Sequence, residues 1–214
     1  MKSYLKTLTP YALMAMAGGL LAASTLLGGC KSNGGPATAL STKNSVVWYI
    51  SSDVESINPI LSSDEGANYV EGHMYERLTF GNPRTQGFLP GLAAMPVESP
   101  DHLTWTFTMD PKAHWSDGKP VTAEDCVASI RRWGARDGMG QKLMDFTASI
   151  EATDPKTITL KLKEPYALVL ESIGKPSSRV AFMMPKRLAD TPVDKQIPEQ
   201  IGSGPFKFVA SEFQ

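Results

Sequence analysis

"LTWTFTMDPKAHWSDGKPVTAEDCVASIRRW", Leu103 to Trp133, decides the fold class. Its first seven residues alternate strictly. Leu103, Trp105, Phe107 and Met109 point one way and Thr104, Thr106 and Thr108 the other, as in a half-buried strand. Asp117-Gly118 is a tight-turn pair. Thr122 then stands where an N-cap belongs, and Asp125, three residues on, can answer it in a near capping box. From there the period changes. Cys126, Val127, Ile130 and Trp133 fall on one face of a helix. One short stretch therefore holds a strand, a turn and an amphipathic helix.

The same mixture extends in both directions. "ASIEATDPKTITLKLKEP" (148–165) reads as a hairpin that turns at Asp154-Pro155. Ile158, Leu160 and Leu162 face inward, and Thr159, Lys161 and Lys163 outward. "YALVLESI" (166–173) reads as a short helix, and "PKRLAD" (185–190) opens another. "GSGPFKFVASEFQ" (202–214) reads as a Gly/Pro turn into a strand. Upstream, "VVWYIS" (46–51) has strand composition, and Asn58-Pro59 forces a turn. "SSDEGANYVEGHMYERL" (62–78) reads as a helix capped by Ser63 or Asp64, with Val70, Met74 and Leu78 as its apolar stripe. "GNPRTQGFLPGLA" (81–93) is punctuated as loop. Strands and helices mix without a regular βαβ repeat, so the expected class is α/β in the mixed α+β sense.

Composition narrows the function. The 214 residues carry 21 Lys and Arg against 22 Asp and Glu, a formal charge of −1, which offers nucleic acid no basic face. Hydrophobic residues make up 42%, enough for a buried core. His73, His102 and His114 lack a metal-ligand partner three or four residues away. No GxSxG occurs, and Cys126 reads as a small core residue on an apolar helix face. "GSGPF" precedes a predicted strand instead of opening a helix, so it is a poor phosphate cradle. Glu124-Asp125 is explained by helix-start electrostatics and Arg131-Arg132 by a solvated face. Nothing here supports an enzyme, and no pattern asks for a cofactor.

The N-terminus reads as an export signal over residues 1–29. Lys2 and Lys6 precede the uncharged run "YALMAMAGGLLAASTLL" (11–27), which is too rich in Gly, Ala, Ser and Thr for a good membrane span. Leu27-Gly28-Gly29-Cys30 resembles a bacterial lipobox, in which the cysteine is acylated and cleavage falls just before it. The competing reading is an ordinary signal peptide with an incidental cysteine; position and flanks favour the lipobox. The polar segment that follows, through residue 45, has the composition of a flexible leash. The folded domain is expected over residues 46–214.

Several stretches, in order, resemble the extracellular solute-binding proteins of family 5, the dipeptide, oligopeptide and nickel class of ABC importers. They are Pro90 with Leu92-Ala93, Trp105-Thr106-Phe107, Trp115-Ser116-Asp117-Gly118, Thr122-Ala123-Glu124-Asp125 and the Arg131-Arg132 helix. "SINPI" and "YERL" upstream and "IGSGPFKF" downstream agree as well. Cys126 departs from the family, which usually has a larger aliphatic residue there. The chain also departs in length, members running to roughly twice its size or more.

The resemblance implies a periplasmic binding protein-like II fold, of which the chain holds most of the first lobe and lacks the second: an N-terminal fragment. It implies capture of peptides or similar small solutes in the periplasm and delivery to an ABC permease with its ATPase, with no enzymatic step. It assigns ligand contacts to backbone groups of Ser63, Asp64 and Glu65 after the Asn-Pro turn, and a membrane anchor to Cys30. The alternative is a sensory or surface-interaction lipoprotein on the same scaffold.

Overall fold

The computed structural model describes residues 49–50, 54, 56–61, 64–176 and 179–212. Its centre is a four-stranded antiparallel sheet in the order β3-β4-β6-β5. Six strands are described in all: β1 Thr79–Gly81, β2 Phe88–Pro90, β3 Val97–Glu98, β4 Thr104–Thr108, β5 Thr147–Asp154 and β6 Thr157–Leu162. β1 and β2 form a separate small hairpin.

The alternation in β4 does what the pattern requires. Trp105, Phe107 and the following Met109 are buried, while Thr108 is exposed. The register pairs Trp105 with Leu160 and Phe107 with Ile158, and Leu160 in turn opposes Ile150 on β5. One apolar face thus runs unbroken across three strands.

Five helices accompany the sheet: α1 Glu65–Met74, α2 Ala123–Gly134, α3 Gly138–Phe146, α4 Val169–Ile173 and α5 Lys186–Ala189. α2 starts with a reciprocal capping box. The Asp125 N–H donates to Thr122 Oγ1 (3.3 Å), and the Thr122 N–H donates to Asp125 Oδ2 (3.0 Å). Cys126, Val127, Ile130 and Trp133 turn into the main core with Phe107, Ile158 and Leu160. Ala128, on another face, joins a second cluster with Ile57, Met74, Tyr75, Phe182, Met184 and Leu188. Ser129 fastens the two together by accepting the Met184 N–H (3.0 Å). α2 is therefore the partition between the two cores.

The structure departs from the sequence reading at several places, among them Arg132, which is buried and not part of a solvated face. Val46–Ser51 lies largely outside the described residues, and Tyr49 and Ile50 carry no strand. "GFLP", read as loop, supplies β2, whose Leu89 pairs with Phe80 of β1. α3 was not expected from a segment with two glycines, which disfavour helix. Asp137 caps it by accepting the Met139 and Gly140 N–H groups (both 3.0 Å) and also pairs with Lys175 (2.6 Å). Gly140 is needed there, because a Cβ would sit 2.9 Å from the Gly134 Cα.

A further correction concerns α1 and the downstream "IGSGPFKF". The helix ends at Met74, so Leu78 is buried beyond it and not on its stripe. The buried face of α1 is Gly66, Ala67, Glu71 and Met74. Its last carbonyls need donors. The Gly204 N–H reaches Met74 O (2.9 Å) and the Phe206 N–H reaches His73 O (3.1 Å). Those donors are thus committed to the helix end, and residues 206–209 form no strand. The described chain closes on a 3-10 turn, Ala210–Glu212.

Candidate functional site

The segment that enters α1 is held from two sides. The Leu61 N–H closes the turn on Asn58 O (3.0 Å), and Arg179 Nε donates to Ile60 O (3.2 Å). Opposite, Gln196 clasps the incoming segment: its Nε2 donates to Ile57 O (3.1 Å), and its Oε1 accepts from Asn58 Nδ2 (3.2 Å) and Ser56 Oγ (3.0 Å). Asn58 is completely buried. The Asn-Pro turn is thus fixed by residues more than a hundred positions away.

Of the three expected ligand contacts, Ser63 lies outside the described residues, as does Cys30. Asp64 is the N-cap of α1, and its Oδ2 accepts the Ala67 N–H (3.0 Å). Glu65 is exposed in the first helical turn, and its Oε1 accepts from Tyr69 Oη (3.4 Å). Asp64 and Glu65 therefore stand side by side at the mouth of the helix. The Asp64 carboxylate is engaged with backbone, while the Glu65 carboxylate faces solvent.

Behind them lies a group not anticipated from the sequence. Glu71 is fully buried, and neither of its carboxyl oxygens has a hydrogen-bond partner. Burial pushes its carboxyl up to about 8; the nearby Asn58 N–H opposes that rise without closing a full hydrogen bond, and the Asp64 charge adds to it. Tyr75 is buried next to it, and burial, then the Glu71 charge, raises its phenol. Asn58 Oδ1 and Tyr75 Oη are also buried without partners. The signal is positional: Ala67, Glu71 and Met74 share the i, i+4, i+7 face of α1.

Other candidates resolve into structure. Asp125 Oδ2 accepts Trp115 Nε1 (3.2 Å) and Oδ1 accepts the Lys186 N–H (2.7 Å), so the Trp-Ser-Asp-Gly and Thr-Ala-Glu-Asp motifs join at one carboxylate. Cys126 is fully buried and its thiol is raised by burial, as suits a core residue. A concavity of about 690 Å³ lies between α2, α5 and β5. Its cations are already engaged: Arg131 with Ile150 O, Arg132 with Thr191 O and Lys195 O, and Lys186 with Asp190. Among the described residues, no group of three or more His, Cys, Asp or Glu could hold a metal.

Comparison with known proteins gives a consistent result. The sequence profile of the bacterial extracellular solute-binding proteins, family 5, middle region, matches residues 87–213. A probable peptide ABC transporter periplasmic-binding protein, y4tO of Sinorhizobium fredii, is 41% identical over 110 residues, covering 51% of this chain and 20% of that protein. A putative ABC transporter peptide-binding protein of Brucella ovis is 33% identical over 140 residues, covering 63% of this chain and 26% of that protein. Among solved structures, the ABC transporter-associated periplasmic binding protein DppA of Helicobacter pylori, in complex with the peptide STSA, superposes with a TM-score of 0.59 at 26% identity. That match covers 73% of this chain and 35% of DppA. The chain thus spans a fifth to about a third of the length of these relatives.

Proposed function

The chain belongs to the bacterial extracellular solute-binding proteins of family 5, and on that premise we propose that it serves the capture of peptides for an ABC importer. The observation that carries this reading is the similarity to two proteins described as peptide-binding, joined to a fold shared with a protein that holds a peptide. In this reading the backbone at Ser63, Asp64 and Glu65 lines one wall of the ligand cleft. An extended peptide is bound there through its main chain, giving affinity with little choice of side chain. The buried turn at Asn58 and the cap at Asp64 hold that wall in one shape before ligand arrives, which lowers the ordering cost of binding. A second lobe closes from the other side, and the loaded receptor docks on a permease with its ATPase.

The reading also places the protein in the periplasm, tethered through an acylated Cys30. Calorimetric titration of the full-length protein with short peptides, glutathione and metal chelates tests it. A peptide dissociation constant of micromolar or better, about −8 kcal/mol, is expected. Absence of binding by every peptide would overturn the peptide assignment.

A further inference from the structure

We propose that Glu71 is a proton-dependent positioning residue: while its carboxyl is neutral it fixes the Asn58–Leu61 turn against α1, and on losing its proton it releases that turn and the first turn of α1. The argument begins from burial. Glu71 is 0% exposed on the inward face of α1, and its two oxygens close no hydrogen bond. An ionised carboxylate in that setting lacks both water and a counter-charge, a state costly enough that the neutral form is preferred.

The surrounding groups do not relieve it. From its own helix, Asp64 adds negative charge and Tyr75 is a neutral phenol. The cations that bind the turn and the loops around it are engaged with other groups. The Arg179 Nε is spent on Ile60 O, the Arg132 Nη1 and Nη2 on Thr191 O and Lys195 O, and Lys195 Nζ stands at the surface beside Asp194. Among the described residues no ion pair includes Glu71.

A neutral carboxyl, in contrast, answers a need. Asn58 Oδ1 is a buried acceptor with no donor, and the Asn58 N–H is close enough to act on the Glu71 carboxyl. A protonated carboxyl has one O–H to give and one oxygen to receive. Beside Asn58, the residue that makes the turn, the neutral form therefore offers a donor that the ionised form lacks. Ionisation removes the donor and leaves a bare charge against the same residue. The relief available is to open the turn and admit water.

The sign of the pH effect follows. The unfolded chain loses the Glu71 proton near 4.5, whereas the folded chain keeps it until about 8. Folded stability therefore declines as pH rises through that window, because the native state binds the extra proton. Any consequence for ligand capture rests on the proposed function; the positioning itself does not.

The experiment is ¹³C-carboxyl and amide NMR of the full chain from pH 5 to 9.5, on the wild type and on Glu71→Gln, which mimics the neutral acid. The wild-type Glu71 carboxyl is expected to titrate several pH units above exposed glutamates, with the Leu61 and Ala67 amide signals moving at the same midpoint. In Glu71→Gln those amides should hold their low-pH positions throughout, and the decline in urea midpoint between pH 5 and 8 should flatten. A wild-type Glu71 midpoint below pH 6, or Leu61 and Ala67 amides that titrate equally in Glu71→Gln, would overturn the proposal. Peptide affinity is measured in parallel and should fall about tenfold above the midpoint in the wild type only. If the amides behave as expected while no peptide binds at any pH, the positioning stands and the transport reading fails.

Discussion

At the scale of single residues, Asp125 concentrates more of the architecture than any group chosen for function. Its two oxygens receive Trp115 Nε1, the Thr122 N–H, Thr122 Oγ1 and the Lys186 N–H. One side chain thus joins the loop before α2, the start of α2 and the start of α5. Hydrogen bonds to a charged group contribute about 1.5–3 kcal/mol each, though not additively. Asp125→Ala should therefore cost about 3 kcal/mol or more in urea unfolding. Asp125→Asn, which keeps an acceptor on one side, should cost about half of that. Equal losses for the two variants would mean that the charge, and not the number of acceptors, decides the stability. The sequence exposed half of this: the spacing from Thr122 to Asp125 announced the capping box. Neither Trp115 nor Lys186 could be read as its partners, since loop path and tertiary packing bring them there.

At the scale of elements, legibility follows how locally each one is determined. β4, β6 and α2 were visible because each repeats its own period, and the core face follows from the period alone. The β1–β2 hairpin was hidden because three-residue strands carry too little pattern, and their pairing is stated only by the partner. α3 was hidden because Gly138 and Gly140 argue against helix locally, while close packing on Gly134 demands one of them. α1 lies between these cases. Its start was legible in Asp64, but its end was not, because the donors that close it come from Gly204 and Phe206. The candidate contacts share this division: the place of Asp64 and Glu65 could be inferred, and the buried Glu71 behind them could not. Asp64→Ala should cost about 1 kcal/mol, the usual worth of an N-cap, and Asp64→Ser should recover most of it. The loss should be local, so amide exchange at Ala67 and Asn68 should speed up well before exchange at Ile130 in α2. Uniform acceleration across both helices would show that the α1 cap is coupled to the main core.

At the scale of the whole molecule, the proposed function raises the question of where a solute receptor must be to act. A net charge of −1 gives no electrostatic reason to stay at an anionic membrane. In the proposed function, a receptor without an anchor would dilute through its compartment, and encounter with a permease would depend on bulk concentration. A tether changes that arithmetic by fixing an effective concentration near the surface. One acyl chain gives only reversible attachment, whereas two hold firmly. The diacylated cysteine of a lipobox supplies two. The proposed anchor at Cys30 predicts that Cys30→Ser abolishes incorporation of labelled palmitate and moves the protein from the membrane pellet to the soluble fraction, leaving the peptide affinity of the proposed function unchanged. Labelling that survives in the Ser variant would place any acyl group elsewhere and remove Cys30 from the account. The second cysteine serves as the internal control: Cys126 is buried in the core between α2 and the sheet, so Cys126→Ala should leave labelling intact while lowering stability.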